Sequence, residues 1–437
     1  MEPDIRKSVR SFYRKYGMDP SSIDIGKECE KFLSEMQRGL EGKPGSLKMI
    51  PAYVTAGGEI PVGEPVVAID AGGTNFRRCI IRFDSNRKPV IDDYEAHPMP
   101  GSQGRISRET FFRAMAEYLA PVAGKSDKIG FCFSYPTEIL PSGDGRLIRF
   151  CKEVQADGVE GGLVGKGLLD ALAAAGIKGT KSIMLLNDTV ATLLGGQAAR
   201  ANRKYGSYVG FILGTGTNTC YIESHAAIKK LTGLDPAGSM IINIESGAYD
   251  RAPRGRIDEA FDSATVNPGE HQFEKMISGG YFGDLALAVL KKAALDGLLS
   301  GECSKKISAL SELGAKDANE FMDDPWAAGA LSGCCGSGED SITVYHLLDT
   351  LFERAAKLVA VNLSAVVAKS GAGQDPTRPV CVAAEGTMFH KSRAFRSKLE
   401  CHIKEYLVDG LGLYCEFIEA ENATLLGTAI AGLTGVR

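Results

Sequence analysis

Pro65-Val-Val-Ala-Ile-Asp-Ala-Gly-Gly-Thr-Asn-Phe-Arg-Arg-Cys-Ile-Ile-Arg-Phe83 is the stretch from which the fold can be read. Val66 to Ile69 form a short apolar run without helical period, the pattern of a buried strand, and the run ends on a charge, Asp70. Ala71, Gly72 and Gly73 then make a tight turn, and Asn75 to Phe83 resumes strand-type sequence. The stretch is therefore a hairpin with no side chains at its tip, where a phosphate can approach the backbone. Taken alone it reads as an ordinary hairpin with a Gly-Gly turn. A second copy changes that reading: Tyr208 to Leu213 form another strand, Gly214-Thr-Gly-Thr-Asn218 follows, and Thr219 to Ile222 is again strand-like. Two Gly-Thr turns in the same strand-turn-strand context, about one domain length apart, mark a chain of two related halves.

The 437 residues are 44% hydrophobic and 24% charged, enough for two cores with a cleft between them. A net charge of -4 and a pI near 6.0 leave no electrostatic footprint for nucleic acid. The densest basic cluster, Arg251 to Arg256, is flanked by Asp250 and Asp258 and reads as a solvated loop. The N-terminus carries no apolar core of a signal peptide, and the longest apolar segment, Leu358 to Ala368, contains Asn362 and Ser364 and is too short to span a bilayer. A soluble, cytoplasmic protein with no membrane or nucleic-acid partner is expected, with monomer and homodimer both open. The 11 cysteines are odd in number and lack zinc spacing, so reduced thiols and no structural metal are expected. Cys79, Cys132, Cys220 and Cys381 fall in predicted strands, where a cysteine acts as a small hydrophobe.

Cys29, Phe32, Leu33, Met36 and Leu40 share one face of a helix over 25–42, which Lys43-Pro44-Gly45 stops before an extended Leu47 to Thr55. After the first hairpin the pattern predicts a strand at 88–94, a helix at 107–123, a strand at 128–133, a hairpin at 143–149, a helix at 161–175, a strand at 181–186 and a helix at 189–201. The second half repeats the opening with strands at 208–213, 218–224 and 240–245, then inserts mainly helical sequence over 267–371, including one long helix through Leu347, Leu351, Ala355 and Leu358. A Gly-rich stretch at 329–338 reads as a surface loop. A strand at 380–384, a helix to about 408, a strand at 414–418 and a helix at 423–433 close the chain. The expected organisation is a helical segment 1–50, a small lobe 51–205, a large lobe 206–421, and a last helix, 422–437, packing back on the small lobe.

Strand after strand ends in a polar or glycine cluster: Asp70-Ala-Gly-Gly, Ser134-Tyr-Pro, Asn187-Asp188, Gly214-Thr-Gly, Glu245-Ser-Gly and Glu385-Gly-Thr. Open α/β sheets bind ligands beyond their strand ends, and this mixture of hydroxyl, amide, carboxylate and glycine suits a polyhydroxy substrate and a nucleoside triphosphate. Any one cluster has a plainer reading, since Asn187 or Asp188 can simply cap the following helix.

Together with Ser46-Leu-Lys-Met-Ile-Pro-Ala-Tyr-Val, Phe133-Ser-Tyr-Pro, Leu186-Asn-Asp-Thr-Val, Leu213-Gly-Thr-Gly-Thr-Asn, Asn243-Ile-Glu, Asn267-Pro-Gly and Phe273-Glu-Lys-Met-Ile-Ser-Gly, these clusters resemble the hexokinases of the sugar kinase, actin and heat-shock ATPase superfamily over nearly the whole chain. The resemblance implies an α/β fold, duplicated and actin-like (ribonuclease H-like), with two lobes around a central cleft. It implies ATP-dependent phosphorylation of the 6-hydroxyl of glucose or a related hexose. Ser134, Cys151, Lys152, Asn187, Asp188, Asn218, Glu245 and Glu274 would hold the sugar, and Asp188 would take the hydroxyl proton with Lys152 beside the transferring group. The helix start beside Asp188 would keep it ionised. Asp70, Gly72, Gly73, Thr74, Asn75 and Arg77 from one hairpin, Gly214, Thr215 and Gly216 from the other, and Gly386 and Thr387 would bind ATP. Asp70 would meet Mg2+ through water.

Three positions depart from the family pattern: Cys151 stands where a threonine is common, Ser246 where a tryptophan follows the sugar-binding glutamate, and His271 where a glutamine is usual. The tail, Glu419-Ala-Glu-Asn-Ala-Thr-Leu-Leu-Gly, lacks the glycine and serine residues of the family's nucleotide loop. Kinases for mannose, fructose or an amino sugar share the same signature. A chaperone or cytoskeletal ATPase shares the phosphate hairpins but has no need of Ser134, Asn187 and Glu245 together. A silent sugar sensor has no need of Lys152 and Asp188.

Overall fold

The computed structural model describes residues 2–56, 58–150, 154–177, 181–200 and 203–435. Two five-strand units of identical topology carry the chain. In the first, Pro89–Pro98, Asn75–Phe83, Val66–Gly72, Lys128–Phe133 and Ser182–Leu186 lie side by side in that order. In the second the order is Ser239–Asn243, Thr217–Ser224, Ser207–Leu213, Val380–Glu385 and Cys415–Ile418. Each unit therefore sets its third, second, first, fourth and fifth strands in a row. The first three are antiparallel, and the fourth and fifth run parallel to the first. The two halves read from the paired Gly-Thr turns are thus halves of the fold.

The opening hairpin forms because Val66 to Ala71 are all buried while Asn75–Phe83 presents alternating and then continuous buried positions to the sheet. Gly72 pairs with Asn75, which leaves a two-residue turn whose first position, Gly73, has φ of 51°. A side chain is unfavourable in that left-handed conformation, which is what the glycine supplies. In the second hairpin Leu213 pairs with Thr217 around a three-residue loop.

The last helix of each half lies on the sheet of the other. Asp188–Ala199 follows the first half's fifth strand but packs on Ser207–Leu213 and Val380–Glu385, whereas Ala423–Thr434 returns to cover Val66–Gly72 and Lys128–Phe133. The two helices also pack on each other, at backbone distance: a Cβ at Gly195 would collide with the Ala423 carbonyl, and one at Gly427 with the Ala191 carbonyl. A single apolar cluster joins the sheets through this crossing, with Val190, Leu194, Leu425 and Ala429 between Ala68 and Cys132 on one side and Cys220 and Ile241 on the other.

Some elements follow the sequence reading and others differ from it. An N-terminal helix, Glu2–Lys15, is present, with Ile5, Val9, Phe12, Tyr13 and Tyr16 buried in the large-lobe core and the Tyr13 hydroxyl donating to the Leu347 carbonyl at 2.6 Å. The Ile25–Leu40 helix joins the same core, so both N-terminal helices pack in the core of the large lobe. The expected start of the small lobe at 51 falls inside a short strand, Ile50–Pro51, that pairs with Ile242 and Asn243 of the large sheet. The hairpin expected at 143–149 is the second arm of Thr137–Ile139 with Gly145–Leu147, its turn made by Gly143 at φ of 82°. The helix expected to run to 408 breaks at Ser392, which caps Arg393–Ile403. Arg251, read as part of a solvated loop, reaches the buried Glu35 at 2.8 Å. The long helix spans Gly338–Lys369. Cys79, Cys132, Cys220 and Cys381 are fully buried in their strands.

Candidate active site

Asp188 and Asn187 occupy the start of a helix. The Asn187 Oδ1 accepts from the Thr189 amide at 2.9 Å, and Asp188 Oδ1 accepts from the same amide at 2.8 Å. Asn187 therefore caps the helix and also faces the cleft, where a cavity of about 100 Å³ is lined by Ser134 and Asn187 from the small lobe and Asn218, Asn243 and Glu245 from the large. Asn218 Nδ2 donates to Asn243 Oδ1 at 2.7 Å, and Asn243 Nδ2 donates to Glu245 Oε1 at 2.7 Å. Asn218 Nδ2 also lies 3.4 Å from Asn187 Oδ1, so the amide chain spans the two lobes.

Glu245 is held at φ of 60° and ψ of 48°, a conformation that costs a non-glycine residue about 1 kcal/mol or more and aims its carboxylate back into this chain of amides. His271 is likewise left-handed at φ of 51°. Glu274, in the first turn of the helix Gln272–Ile277, accepts from the Thr217 amide at 2.8 Å. That approach explains Gly216: a Cβ there would sit 2.7 Å from Glu274 Oε2. The missing side chain of Gly216, expected to cradle phosphate with its backbone, also makes room for Glu274.

The first hairpin tip is open. Thr74 and Asn75 are exposed, and a Cβ at Gly73 would meet nothing within 4 Å. Ser134 crosses behind it, its amide donating to the Ala71 carbonyl at 3.0 Å, and a Cβ at Gly72 would press on Ser134 Oγ at 2.9 Å. The Tyr135 hydroxyl donates to the Gly73 carbonyl at 2.8 Å and ties the Ser134 loop to the hairpin tip. In the second hairpin the Gly214 and Thr215 carbonyls accept from the amides of Gly279 and Gly280 at 2.7 and 3.0 Å. Gly386, at φ of 111°, closes against the backbone of Leu213 and Gly214, with Thr387 beginning the helix that follows. Asp70 is almost fully buried and accepts from Arg77 Nη1 at 2.9 Å. Arg77 is therefore engaged with Asp70 in this structure. Cys151 and Lys152 lie outside the described residues.

Loss of hydration dominates the acid chemistry of the cleft. Burial pushes the Asp188 carboxyl up, with the Thr189 amide opposing and the Asp70 charge adding to the rise. The helix start does lower it, as expected, but burial outweighs that effect. Glu245 and Glu385 are raised by burial too, against the hydrogen bonds of Asn243 and Thr424. Burial drives Glu274 to about 7 despite the Thr217 amide. Asp70 is raised by burial and held back by Arg77. Carboxylates only accept hydrogen bonds when ionised, so this cleft is short of donors, which a hydroxyl-rich ligand or a cation supplies. Asn243, Tyr135 and Glu385 stand inside the motifs quoted from the sequence but carry no individual role in that reading. Asn243 stands two residues before Glu245 at a strand end, and Tyr135 directly follows Ser134, so adjacency was the available signal.

A duplicated actin-like fold, with amides, hydroxyls and carboxylates from both lobes meeting at one cavity between glycine turns, defines a two-lobed phosphotransferase of the sugar-kinase class. Models of the family described as hexokinase match residues 9–198 and 208–434. The chain is similar to Hexokinase-5 of Oryza sativa subsp. japonica, 30% identical across 92% of this chain and 84% of that protein. It is similar also to Hexokinase-1 of Schizosaccharomyces pombe, 29% identical across 92% and 85%. In fold it matches a hexokinase from Schistosoma mansoni complexed with glucose, with a TM-score of 0.80 at 23% identity over 99% of both chains. The chain belongs to the hexokinase family, and its activity is ATP-dependent phosphorylation of a hexose. Among the described residues no helix is long and apolar enough to cross a membrane.

Proposed function

We propose that the substrate is glucose or a close hexose, phosphorylated on its 6-hydroxyl with Asp188 as the general base. The observation that carries this reading is the cross-lobe set in one cavity: Ser134 and Asn187 on one side, Asn218, Asn243 and Glu245 on the other, with Asp188 beside them. The glucose in the Schistosoma mansoni hexokinase supports it by likeness of fold. Sugar hydroxyls donate to Glu245, Glu274 and Asp188 and accept from the amides of Asn187 and Asn218, which relieves the donor shortage of the empty carboxylates. A sugar hydroxyl is a weak nucleophile, and Asp188 accepts its proton as the new O–P bond forms and the bond from the γ-phosphorus to the bridging oxygen breaks, with ADP leaving. The same ligand pulls the lobes together and excludes water, which competes for the γ-phosphoryl group.

ATP and Mg2+ fit the opposite wall of the cleft. The open tip at Gly73 leaves room for phosphate oxygens at main-chain distance, and Gly386 brings its turn against the Leu213 and Gly214 backbone. Asp70 would hold Mg2+ through water, and Arg77 beside it would face the phosphates; when bound the metal neutralises phosphate charge. Lys152 and Cys151 complete the reading from sequence alone. The moving bodies are the small lobe with the C-terminal helix, and the large lobe with the first 50 residues. A cytoplasmic location is part of the same reading, supported by the free thiols of all ten described cysteines. Release of ADP measured against a panel of glucose, mannose, fructose and glucosamine tests the proposal. ADP release with glucose at the highest kcat/KM is expected, and preference for another member of the panel overturns the glucose assignment.

A further inference from the structure

Between the lobes, beside the turn that carries Glu274, one arginine reaches across. Arg149 Nη2 is 3.1 Å from Glu270 Oε2 and 3.3 Å from His271 Nε2. Arg149 belongs to the small lobe, and its backbone neighbours are fixed there. The Ile148 amide donates to the Pro136 carbonyl at 2.8 Å, the Phe150 amide to Glu160 Oε1 at 2.8 Å, and the Phe150 ring packs on Tyr135 at 5.3 Å between centroids. Glu270 and His271 belong to the large lobe, on the turn that leads directly into Glu274.

That turn is equally fixed at its base. The buried Lys275 ammonium donates to Thr265 Oγ1 at 2.8 Å and to the Asn267 carbonyl at 2.7 Å, and it pairs with Asp262, whose carboxylate also accepts from the Gly269 amide at 3.0 Å. A pull on Glu270 therefore acts on the large lobe rather than on a slack loop. His271 Nε2 faces a guanidinium, which can only donate, so this nitrogen accepts and the ring proton sits on Nδ1. Nδ1 lies 3.9 Å from Glu274 Oε1.

We propose that Arg149 is a positioning residue for the hexose: by bridging to Glu270 and His271 it biases the cleft toward closure and sets the 267–271 turn so that Glu274 faces the sugar. This rests on the reading of Glu274 as a sugar ligand. Both partners are about half exposed, so the pair acts as a bias rather than a lock, of the size of a surface ion pair.

The test is steady-state kinetics of Arg149→Ala, Glu270→Gln, the double variant, and the exchanged pair Arg149→Glu with Glu270→Arg. The single variants are expected to raise KM for hexose about two- to fivefold, with KM for ATP and kcat close to wild type. The double variant should be no worse than either single one, and the exchanged pair should recover part of the loss. Raising salt from about 50 to about 500 mM should raise KM for hexose in the wild type and leave Arg149→Ala unmoved. Unchanged hexose KM, equal rises in both KM values, or additive single effects overturn the proposal. Glu274→Gln separates the two readings. If it leaves hexose KM unchanged, the sugar-ligand reading falls; if it raises KM while Arg149→Ala does not, the bridge alone falls.

Discussion

At the residue scale, the chemistry depends on carboxylates that folding has stripped of water. Asp188→Ala should lower kcat about 10²- to 10⁴-fold, roughly 3 to 5 kcal/mol of barrier, with hexose binding weakened but retained; near-normal kcat removes Asp188 from the base role. Because burial raises Asp188, the acid limb of the kcat profile should lie above the ordinary carboxylate value of 3.8. Glu274 links this to stability. Its folded value of about 7 exceeds the ordinary 4.5, so the folded protein holds the proton more tightly than the unfolded one, and stability is lost as pH rises between those values. Glu274→Gln should therefore stabilise the sugar-free protein by about 1 to 3 kcal/mol near pH 8 and by much less near pH 5, measured by thermal unfolding. Equal effects at both pH values count against the assignment. The residue types of the site were legible in the sequence because motif order places them at strand ends. The sign of the Asp188 shift was not, because a helix start is visible in sequence whereas desolvation depends on which other elements cover the group. Asn243 escaped for a similar reason: its role comes from pairing across strands, with Asn218 on a neighbouring strand and Glu245 just beyond its own.

At the element scale, the two Gly-Thr hairpins look alike in sequence and differ in what their glycines do. Gly73 is needed for its positive φ and an open approach, while Gly216 is needed for the space that Glu274 fills. Gly73→Val should raise KM for ATP about tenfold or more through backbone strain, leaving hexose KM nearly unchanged. Gly216→Ala should do the reverse, displacing Glu274 from the Thr217 amide and raising hexose KM severalfold. Parallel effects on both substrates from both variants show that the hairpins act as one unit. The buried strands were legible because runs such as Val66 to Ile69 have no helical period, and the Ile25–Leu40 helix because its apolar spacing does. The Glu2–Lys15 helix carries the same kind of spacing in Ile5, Val9, Phe12 and Tyr16, diluted by charged residues. The break at Ser392 has no Gly or Pro signal; it follows from Ser392 capping a new helix by accepting from the Phe395 amide.

At the scale of the whole molecule, the groups proposed to hold the sugar are divided between two lobes that meet at the crossing of the Asp188–Ala199 and Ala423–Thr434 helices. Small-angle scattering should show a smaller radius of gyration at saturating hexose, and ATP hydrolysis without sugar should be far slower than sugar phosphorylation. An unchanged radius together with rapid sugar-independent hydrolysis sinks the closure mechanism. The duplication was legible from the repeated hairpin, and so was the return of the last helix to the small lobe; that the Asp188–Ala199 helix lies on the large sheet was not. An apolar helix face does not name the sheet it covers, and only the three-dimensional path decides that. That exchange has a consequence for the integrity of the chain. Each half is roofed by a piece of the other, so neither is a complete folding unit, and the covalent link between them is not what keeps them together. A protease that severs the connection before Ser207 therefore produces two complementary fragments rather than two free domains, and they should stay together, and remain active, until one of them unfolds.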